Sequence, residues 1–584
     1  MTKSTNLNPA QQEAVEHPDG PLLIAAGAGS GKTKTLTGRL ARLIERGVAP
    51  ENIVAITFTN KAAKEMAERV NVQPAPFIGT FHSLCARILK KEARHADRTP
   101  NFTIFDADDS LSLVKKVMKA LDIAKEKYNP VSLQGKISKI KSELLAPDEF
   151  DKTATLVFQK YEGELVKNNA FDFDDLIEKT VRIFQENPRI LEKYQGQFRH
   201  ILVDEYQDIN TAQYLFIKLL AERHRNLSVV GDDQQAIYSF RGADFRNFLN
   251  FERDWPSAKI VKLEQNYRST GNIITAASAV IQNNKLQTPK SLWTENPPGT
   301  PVRVVKAADP EQEAAFVAGR IYETKPKSAA IIYRTNAQSR AIEQSLIAAD
   351  IPYRIFGGLK FYERKEIKDV LAGLRIANNP KDGVSAERLS KNFDKKTAAR
   401  LVSEMARLGQ NLGILELINF FIVNSDYLQY LEKNYKNYPE RMENVNELIR
   451  FAGEFKTLDE FLERVALLQS ADQPAKREAF ADSRPAVNLM SIHLAKGLEF
   501  DNVFVVGASE GLLPHQMSYG SLDELEEERR LMYVAMTRAK KELSLSFSGT
   551  PSRFLYEIPP ELTEFVDLDG NRGELPDADD MYID

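Results

Sequence analysis

Short apolar runs alternate with longer amphipathic stretches along most of this 584-residue chain. Such alternation is typical of β-α units built around a parallel sheet, and it leaves few other fold classes open. Strands are predicted in both halves of the chain, at Leu22–Ala26, Ile53–Phe58, Ile201–Val203, Val229–Val230, Ala330–Tyr333, Val487–Met490, Val503–Val506 and Leu543–Phe547. The predicted fold class is therefore α/β with parallel sheets.

Two regions depart from this alternation. Residues from about 91 to 175 are rich in lysine and have apolar residues at helical spacing, among them Leu111, Val114 and Met118. Residues from about 381 to 484 have few strand-like runs and are also predicted to be helical. We interpret both regions as helical insertions into α/β domains. At about 150 residues per domain, the chain is expected to form about four domains or subdomains.

The charge is unevenly distributed. The chain has 78 basic and 82 acidic residues, a net charge of −4. Residues 555–584 contain ten acidic residues and one basic residue, so residues 1–554 carry a net charge of +5. A mildly basic body is compatible with nucleic-acid binding but does not establish it. The acidic segment is predicted to be a flexible tail.

Several protein classes are excluded or disfavoured by composition. The single cysteine, Cys85, excludes an intramolecular disulfide framework and a cysteine-rich zinc site, and its apolar neighbours at helical spacing predict a core position. No apolar run approaches the roughly 20 residues that a membrane span needs, and no signal-peptide core follows Met1. A cytoplasmic protein without a membrane partner is expected.

A glycine-rich segment after the first predicted strand has the pattern of a phosphate-binding loop. It runs Ala26-Gly27-Ala28-Gly29-Ser30-Gly31-Lys32-Thr33, with Ala26 where the general pattern has its first glycine. Small residues allow backbone N–H groups to surround phosphate oxygens at a helix N-terminus. Lys32 can reach the β- and γ-phosphates, and the Thr33 hydroxyl can bind Mg²⁺. The alternative is a glycine-rich turn before a helix.

A pair of carboxylates, Asp204 and Glu205, directly follows the predicted strand at Ile201–Val203. That position is the carboxyl edge of the sheet, where α/β proteins bind ligands. Asp204 suits a Mg²⁺ ligand, and Glu205 suits a base that orients the attacking water. Taken alone, the pair is equally compatible with the start of a helix.

Ten further segments occur in a fixed order between Leu7 and about Pro559. They are Leu7-Asn8-Pro9-Ala10-Gln11-Gln12, Thr57-Phe58-Thr59-Asn60-Lys61-Ala62-Ala63, Gly79-Thr80-Phe81-His82-Ser83, Phe171-Asp172-Phe173-Asp174-Asp175-Leu176, Asp204-Glu205-Tyr206-Gln207-Asp208, Gly231-Asp232-Asp233-Gln234-Gln235-Ala236-Ile237-Tyr238, Gln265-Asn266-Tyr267-Arg268-Ser269-Thr270, Tyr333-Arg334-Thr335-Asn336-Ala337-Gln338-Ser339-Arg340, Ala495-Lys496-Gly497-Leu498-Glu499-Phe500 and Tyr533-Val534-Ala535-Met536-Thr537-Arg538-Ala539. Together, these segments resemble the motifs of superfamily 1A DNA helicases of the UvrD/PcrA/Rep type.

The resemblance implies two RecA-like P-loop NTPase motor domains, each carrying a mainly helical inserted subdomain. The implied boundaries are 1–90 and 176–265 for the first motor domain, 91–175 for its insertion, 266–380 and 485–556 for the second motor domain, 381–484 for a reduced second insertion and 557–584 for the tail.

By resemblance, ATP with Mg²⁺ binds the loop from Ala26 to Thr33. Gln12 then contacts adenine, Tyr267 stacks on the base, Glu499 lies near the ribose and Arg39 lies near the nucleotide. Gln234 is expected to sense the γ-phosphate. Arg268 and Arg538 resemble arginine fingers, a role that suits planar guanidinium groups. For each arginine the alternative is a surface salt bridge.

Single-stranded DNA is the second ligand that the resemblance implies. Motif positions suited to contact it are Phe58, Asn60, His82, Tyr238, Phe240, Arg241, Asn336 and His493. Relatives commonly have tryptophan at the position of Phe240. The alternative for the aromatic residues is a place in the core, and for His493 an ordinary structural role.

The resulting hypothesis is an ATP-dependent 3′–5′ DNA helicase and translocase that acts at single-strand and duplex junctions in repair or replication. The alternatives are a motor subunit of a RecB-like complex and a DNA-binding regulator with little unwinding activity. The tail is expected to compete with DNA, to bind a protein partner or only to aid solubility. The second insertion lacks the Gly-Ile-Gly elements that such helicases use against duplex, so weak duplex binding is expected.

Overall fold

The computed structural model describes residues 7–58, 60–70, 72–100, 102–105, 107–124, 127–356, 361–378, 380, 383–409, 411–458, 460–462, 465, 486–570 and 575. These residues form two compact units. Unit 1 contains the described residues up to 274 together with 284–297, and unit 2 contains 275–283 and the described residues from 298 onward.

Unit 1 contains ten strands among the described residues. They are β1 (Leu22–Ala26), β2 (Ile53–Thr57), β3 (Phe77–Thr80), β4 (Thr103–Phe105), β5 (Ala170–Asp172), β6 (His200–Val203), β7 (Leu227–Gly231), β8 (Lys259–Leu263), β9 (Gln265–Asn266) and β10 (Trp293–Thr294). Six of them form one parallel sheet in the order β3-β2-β6-β7-β1-β8. The predicted α/β class with a parallel sheet is thus confirmed for this unit.

The described helices that begin in unit 1 are α1 (Pro9–Glu16), α2 (Lys32–Glu45), α3 (Asn60–Val70), α4 (Phe81–Glu92), α5 (Ala107–Ala120), α6 (Pro130–Glu143), α7 (Lys152–Lys167), α8 (Phe173–Glu186), α9 (Pro188–Gln197), α10 (Thr211–Ala221), α11 (Arg246–Leu249), α12 (Phe251–Asp254) and α13 (Gly271–Ile281). The four inner strands, β1, β2, β6 and β7, are buried along their whole length, as is typical of a parallel sheet covered on both faces. Alternate residues of β1 and β6 pack against α2 and α3 on one face and against α4, α8 and α10 on the other.

The first insertion is a small helical layer. Helices α5, α6 and α7 enclose a core of their own that includes Val114, Ile137 and Tyr161, beside the short parallel pair β4–β5. Lys141 on α6 is buried and forms ion pairs of 2.7 Å with Asp172 and Asp175. Because Asp175 belongs to α8, these contacts fix the insertion to the helices under the large sheet.

Unit 2 contains the remaining described strands, β11 (Val302–Ala307), β12 (Ala329–Tyr333), β13 (Tyr353–Ile355), β14 (Val487–Ser491), β15 (Phe500–Val505), β16 (Ala539–Ser548) and β17 (Thr563–Asp567). They form a second parallel sheet in the order β13-β14-β12-β15-β16-β11-β17. Its described helices are α14 (Pro310–Thr324), α15 (Ser339–Ala348), α16 (Lys365–Asn378), α17 (Gly383–Asn392), α18 (Lys395–Leu408), α19 (Ile414–Asn424), α20 (Tyr427–Asn434), α21 (Tyr438–Ala452), α22 (Ile492–Ala495) and α23 (Leu522–Met536).

The helices of the second insertion share a core with the residues that precede it. Phe361, Tyr362 and the apolar face of α16 belong to the same core as α18, α19 and α21. Helix α16, which lies before the predicted boundary at residue 381, therefore buries its apolar face on helices of the second insertion.

Two other predicted boundaries also change. The prediction that the second motor domain begins at residue 266 is wrong, because β9, β10 and residues 284–297 belong to unit 1. The prediction of a flexible tail from residue 557 is wrong as far as β17, which pairs in parallel with β11 from Thr563 to Asp567. Most of the rest of the predicted tail, 571–574 and 576–584, lies outside the described residues. Of the described helices, none is long and apolar enough to span a membrane.

Candidate functional site

The loop between β1 and α2 has the backbone that a phosphate-binding loop requires. Gly29 and Gly31 adopt left-handed conformations with φ of +66° and +85°, which side chains other than glycine rarely tolerate. Lys32 begins α2, and its Nζ donates to the carbonyl of Gly27 at 3.2 Å. The ammonium group thus lies across the mouth of the loop. The loop and the helix N-terminus together form a site for an anion.

The two predicted acidic residues lie beside this loop. Thr33 Oγ1 donates to Asp204 Oδ2 at 3.3 Å, which brings together a hydroxyl and a carboxylate. Burial, and then the charge of Glu205, raise the pKa of Asp204. Mg²⁺ prefers oxygen ligands and is usually held by one or two carboxylates together with substrate phosphates, so Thr33 and Asp204 fit that ion. The described residues contain no cluster of three or more side chains suited to a protein-only metal site.

Gln207 was not among the predicted site residues, yet it links the segment Asp204–Asp208 to the segment Gly231–Tyr238. Its Nε2 donates to Glu205 Oε2 at 2.6 Å and to Asp208 Oδ2 at 3.0 Å. Its Oε1 accepts a hydrogen bond of 2.9 Å from the backbone N–H of Asp232. The side chain is buried, so these bonds are shielded from water. Gln207 therefore connects the predicted base with the segment that follows β7.

Gln12 does not reach the phosphate-binding loop in this structure. Its side chain is exposed, and its Nε2 donates to Glu16 at 3.1 Å along α1. The preceding residue, Gln11, is buried, and its Nε2 donates to the Ser30 carbonyl at 2.9 Å. Gln11 forms a capping box with Asn8, which turns its side chain toward the loop. Gln11, and not Gln12, therefore contacts the phosphate-binding loop.

Residues 265–268 lie in unit 1, against the same loop. The backbone N–H of Tyr267 donates to the Gly29 carbonyl at 3.0 Å, and Asn266 Nδ2 donates to the Ala28 carbonyl at 2.7 Å. The Tyr267 ring is 49% exposed. Arg268 follows directly, and its N–H donates to Asn266 Oδ1 at 2.9 Å. An exposed ring and an arginine are thus held at the edge of the loop.

The side chain of Arg39 forms hydrogen bonds that stabilise the fold. Its Nε donates to Ser228 at 2.7 Å, and its Nη1 donates to the His17 carbonyl at 2.8 Å. Further bonds go to the carbonyls of Ala14 and Pro18. The guanidinium therefore caps the C-terminal end of α1 and is 2% exposed. These contacts give no support to the prediction that Arg39 lies near a nucleotide.

A cleft with a volume of about 290 Å³ brings together most of the predicted DNA-contacting residues of unit 1. Phe58 follows β2 and stacks on Tyr238, with ring centroids 5.5 Å apart and planes inclined by 15°. The Arg241 guanidinium lies over the rings of Tyr238 and Phe240, at 5.2 and 5.5 Å. The Phe240 ring itself is 64% exposed. Asp208 also lines the cleft, so the hydrogen bonds of Gln207 extend from Glu205 to this wall.

His82 lines the same cleft and packs edge-on against Phe173, with centroids 5.6 Å apart. Burial lowers the pKa of His82, which favours the neutral ring at pH 7. Phe173 is 51% exposed although it opens α8. Phe173 was not predicted as a DNA contact. The sequence signal that could have identified it is its place in the motif segment Phe171–Leu176. The side chain of Asn60 lies outside the described part of the chain.

The predicted residues of unit 2 lie close to strand ends or to helix α23. Asn336 follows β12 and His493 follows β14, and these are neighbouring strands of the sheet. Arg538 follows α23, and it donates to the carbonyls of Val534 at 2.9 Å and Leu498 at 3.2 Å. Leu498 precedes Glu499, which forms an ion pair of 2.6 Å with Lys540. Arg538 and Glu499 therefore belong to one cluster of unit 2.

Two family models match this chain. The model of the UvrD/REP helicase N-terminal domain matches residues 7–256, and that of the UvrD-like helicase C-terminal domain matches residues 261–437 and 422–550. The ATP-dependent DNA helicase PcrA of Bacillus subtilis (strain 168) is 42% identical over 641 positions, covering 96% of this chain and 86% of the relative.

Two further relatives with the same name are similar over the same extent. The helicase of Leuconostoc citreum is 40% identical, with 96% of this chain and 86% of the relative covered. That of Staphylococcus aureus (strain Mu50) is also 40% identical, with coverages of 96% and 87%. Family models and relatives together span both units, and the chain belongs to the UvrD/REP helicase family.

Proposed function

We propose that this chain is an ATP-dependent DNA helicase that moves 3′ to 5′ along single-stranded DNA. The observation that carries the proposal is the chain of side-chain contacts in unit 1 from Glu205 through Gln207 to Asp208. It runs from the phosphate-binding loop to the aromatic cleft. A motor needs such a link, because hydrolysis at one site must change the grip on DNA at the other.

In the hydrolysis step, Lys32 and the backbone of the glycine-rich loop bind the β- and γ-phosphates of ATP. Thr33 and Asp204 would hold Mg²⁺, which neutralises charge on those phosphates when it is bound. Glu205 orients the attacking water. Arg268 and Arg538 act as arginine fingers, a role that contributes about 10³–10⁵ in rate in related phosphoryl transfers.

For the rest of the nucleotide, we assign the adenine contact to Gln11 because it reaches the loop and Gln12 does not. Tyr267 stacks on the base, and Glu499 lies near the ribose. Gln234 senses the γ-phosphate. It belongs to the same short segment as Tyr238, so a shift at the phosphate is passed on to the stacking platform.

Single-stranded DNA occupies the aromatic cleft of unit 1, with Phe58, His82, Tyr238, Phe240 and Arg241 as its contacts. Phe173 is added to this set because its exposed ring faces His82. Asn60, Asn336 and His493 complete the proposed path. Stacked rings suit this ligand because every base has an apolar face, and each stack is worth about 1–3 kcal/mol.

Two measurements test this proposal. ATP hydrolysis with and without single-stranded DNA distinguishes the motor from a DNA-binding regulator, and we expect strong stimulation. Strand displacement on duplexes with a 3′ or a 5′ tail then tests polarity, and only the 3′ tail should support displacement. Lack of stimulation by DNA would favour the regulator.

We place the activity in the cytoplasm, in repair or replication, because its substrate is DNA.

Duplex contact is expected to be weak. The Gly413 N–H donates to Glu416 at 2.8 Å and caps α19, so this amide is not available to a DNA phosphate. The alignment with the Bacillus subtilis relative has 641 positions, and about 560 residues of this chain occupy them. About 80 positions of that relative therefore have no counterpart in this chain. At one fixed salt concentration, duplex beside a 3′ tail should add less than about tenfold to the affinity of the tail alone.

A further inference from the structure

A segment that returns from unit 2 to unit 1 contacts the residues that follow β7. Residues 275–283 belong to unit 2, whereas residues 284–297 belong to unit 1 again. We call residues 284–297 the return segment. Gln287 Oε1 accepts a hydrogen bond of 2.7 Å from Gln234 Nε2. The Thr288 N–H donates to Asp233 Oδ2 at 2.6 Å. The return segment therefore lies directly on the proposed γ-phosphate sensor.

Lys290 is a buried cation of the return segment. Its side chain is 0% exposed, and its Nζ donates to Asp232 and, at 2.9 Å, to Asp233. Burial opposes the charge, but the two carboxylates outweigh it and raise the pKa of Lys290. Burial likewise opposes ionisation of Asp232, and Lys290 followed by Lys32 lowers the pKa of that carboxyl. Both partners are therefore charged inside the protein.

Asp232 has a second cation beside it. Lys32 Nζ lies 3.6 Å from Asp232 Oδ2. Among the residues that the structure describes, Lys32 and Lys290 are the ion-pair partners of this carboxylate. The ammonium group of Lys32 is the one that must bind phosphate when ATP enters the site.

We propose that Lys290 is a positioning residue for ATP binding: by neutralising Asp232 it leaves Lys32 able to exchange this carboxylate for the phosphates of ATP. Without Lys290, Asp232 would be a buried carboxylate with Lys32 as its remaining ion-pair partner. Charge interactions are far stronger in a buried site than in water, so Lys32 would be held there and ATP would have to compete. The inference rests on the proposed function, since it requires Lys32 to bind phosphate.

The alternative is that Lys290 only attaches the return segment to the core. The two roles predict different effects of a second substitution. If Lys290 acts through Asp232, removal of the negative charge by Asp232→Asn should repair the defect of Lys290→Met. If Lys290 only attaches the segment, the defects of the two substitutions should add or exceed their sum, because each substitution removes a contact.

The experiment measures KM for ATP and kcat of DNA-stimulated hydrolysis in four full-length variants: Lys290→Met, Asp232→Asn, the double variant and Lys262→Met. The last is a matched control, since Lys262 donates to the Pro289 carbonyl at 2.7 Å and forms no contact with either aspartate. We expect Lys290→Met to raise KM about tenfold or more, with kcat reduced by less than about threefold. The double variant should return KM to within about threefold of the wild type.

Thermal unfolding of each variant is measured first. If Lys290→Met does not fold, Lys290→Gln, which keeps a hydrogen-bond donor but no charge, replaces it in the same cycle. A double variant with a KM no lower than that of the single variant, or a loss confined to kcat, would overturn the inference. Wild-type protein without DNA-stimulated hydrolysis would instead refute the proposed function. Wild-type activity with an unchanged KM in Lys290→Met would refute only the role of Lys290.

Discussion

The side-chain amide of Gln207 donates a hydrogen bond of 2.6 Å to the carboxylate of Glu205. The same nitrogen donates to Asp208 in the wall of the aromatic cleft, and the amide oxygen accepts from the N–H of Asp232. An amide is suited to this position because it both donates and accepts. A movement of Asp208 caused by DNA would therefore be transmitted to Glu205, the proposed base.

Replacing Gln207 by leucine should uncouple hydrolysis from DNA. The substitution removes a buried hydrogen bond to a charged group, which costs about 1.5–3 kcal/mol. We expect the ratio of DNA-stimulated to basal ATP hydrolysis to fall at least about tenfold. Gln195→Leu is the control, since Gln195 donates to the Leu219 carbonyl at 2.8 Å in the same unit and touches neither site. A Gln207→Leu variant with the wild-type ratio would contradict this role.

Glu205→Gln should bind ATP normally but hardly turn it over. The amide keeps the size of the side chain and can still accept from Gln207, but it cannot act as a base. A group that acts mainly in the transition state affects kcat far more than binding. We expect kcat to fall about 10²–10⁴-fold while nucleotide affinity stays within about threefold. Near-normal turnover would remove Glu205 from the mechanism.

Tyr238→Ala should weaken the binding of single-stranded DNA by about 1–3 kcal/mol, since it removes one stacking platform. Because the ring stacks on Phe58, the combined Tyr238→Ala and Phe58→Ala variant should lose less than the sum of the two single losses. Equilibrium titration of a labelled oligonucleotide without ATP gives these values. Tyr322→Ala, which removes a 62% exposed aromatic ring on α14, serves as the control.

Two truncations should separate the strand β17 from the acidic residues beyond it. Residues 571–584 carry a net charge of −4, and deleting them should tighten single-strand binding at low salt without lowering Tm. Deletion after Phe554 also removes β17 and its ion pairs, Lys306–Asp567 at 3.0 Å and Arg303–Glu564 at 3.1 Å. That variant should lose several degrees in Tm.

The two readouts have separate consequences. Unchanged DNA affinity after deletion of residues 571–584, across the whole salt range, would leave only a solubilising or partner-binding role for the tail. An unchanged Tm after deletion from residue 555 would contradict the contribution of β17 to the sheet.

The sequence predicted those parts of the fold and site that depend on local patterns. The strands, the loop from Ala26 to Thr33 and the Asp204–Glu205 pair all follow from runs of neighbouring residues. The contact of Gln11 rather than Gln12 with the loop was not predicted, because two adjacent glutamines differ only in which side of α1 they occupy. The capping box of Asn8 with Gln11 was the local signal that distinguishes them.

Other features depend on contacts between distant parts of the chain. Lys290 pairs with Asp232 and Asp233 across more than fifty residues, and nothing in the composition of its own segment shows this. Arg39 lies on the buried side of α2, where it binds carbonyls of α1 and the loop after it. β17 was missed because its short apolar pair, Phe565 and Val566, lies between two acidic residues at a sheet edge, and composition alone made the whole segment resemble a tail.

Directed movement on single-stranded DNA is the central claim, and release of streptavidin from biotinylated oligonucleotides tests it without requiring duplex unwinding. The protein is mixed with an oligonucleotide that carries streptavidin at the 5′ end or at the 3′ end, and release is followed after addition of ATP and Mg²⁺. We expect rapid release from the 5′ end and little from the 3′ end, with no release by Glu205→Gln. Release mainly from the 3′ end, or equal release with and without ATP, would contradict the account.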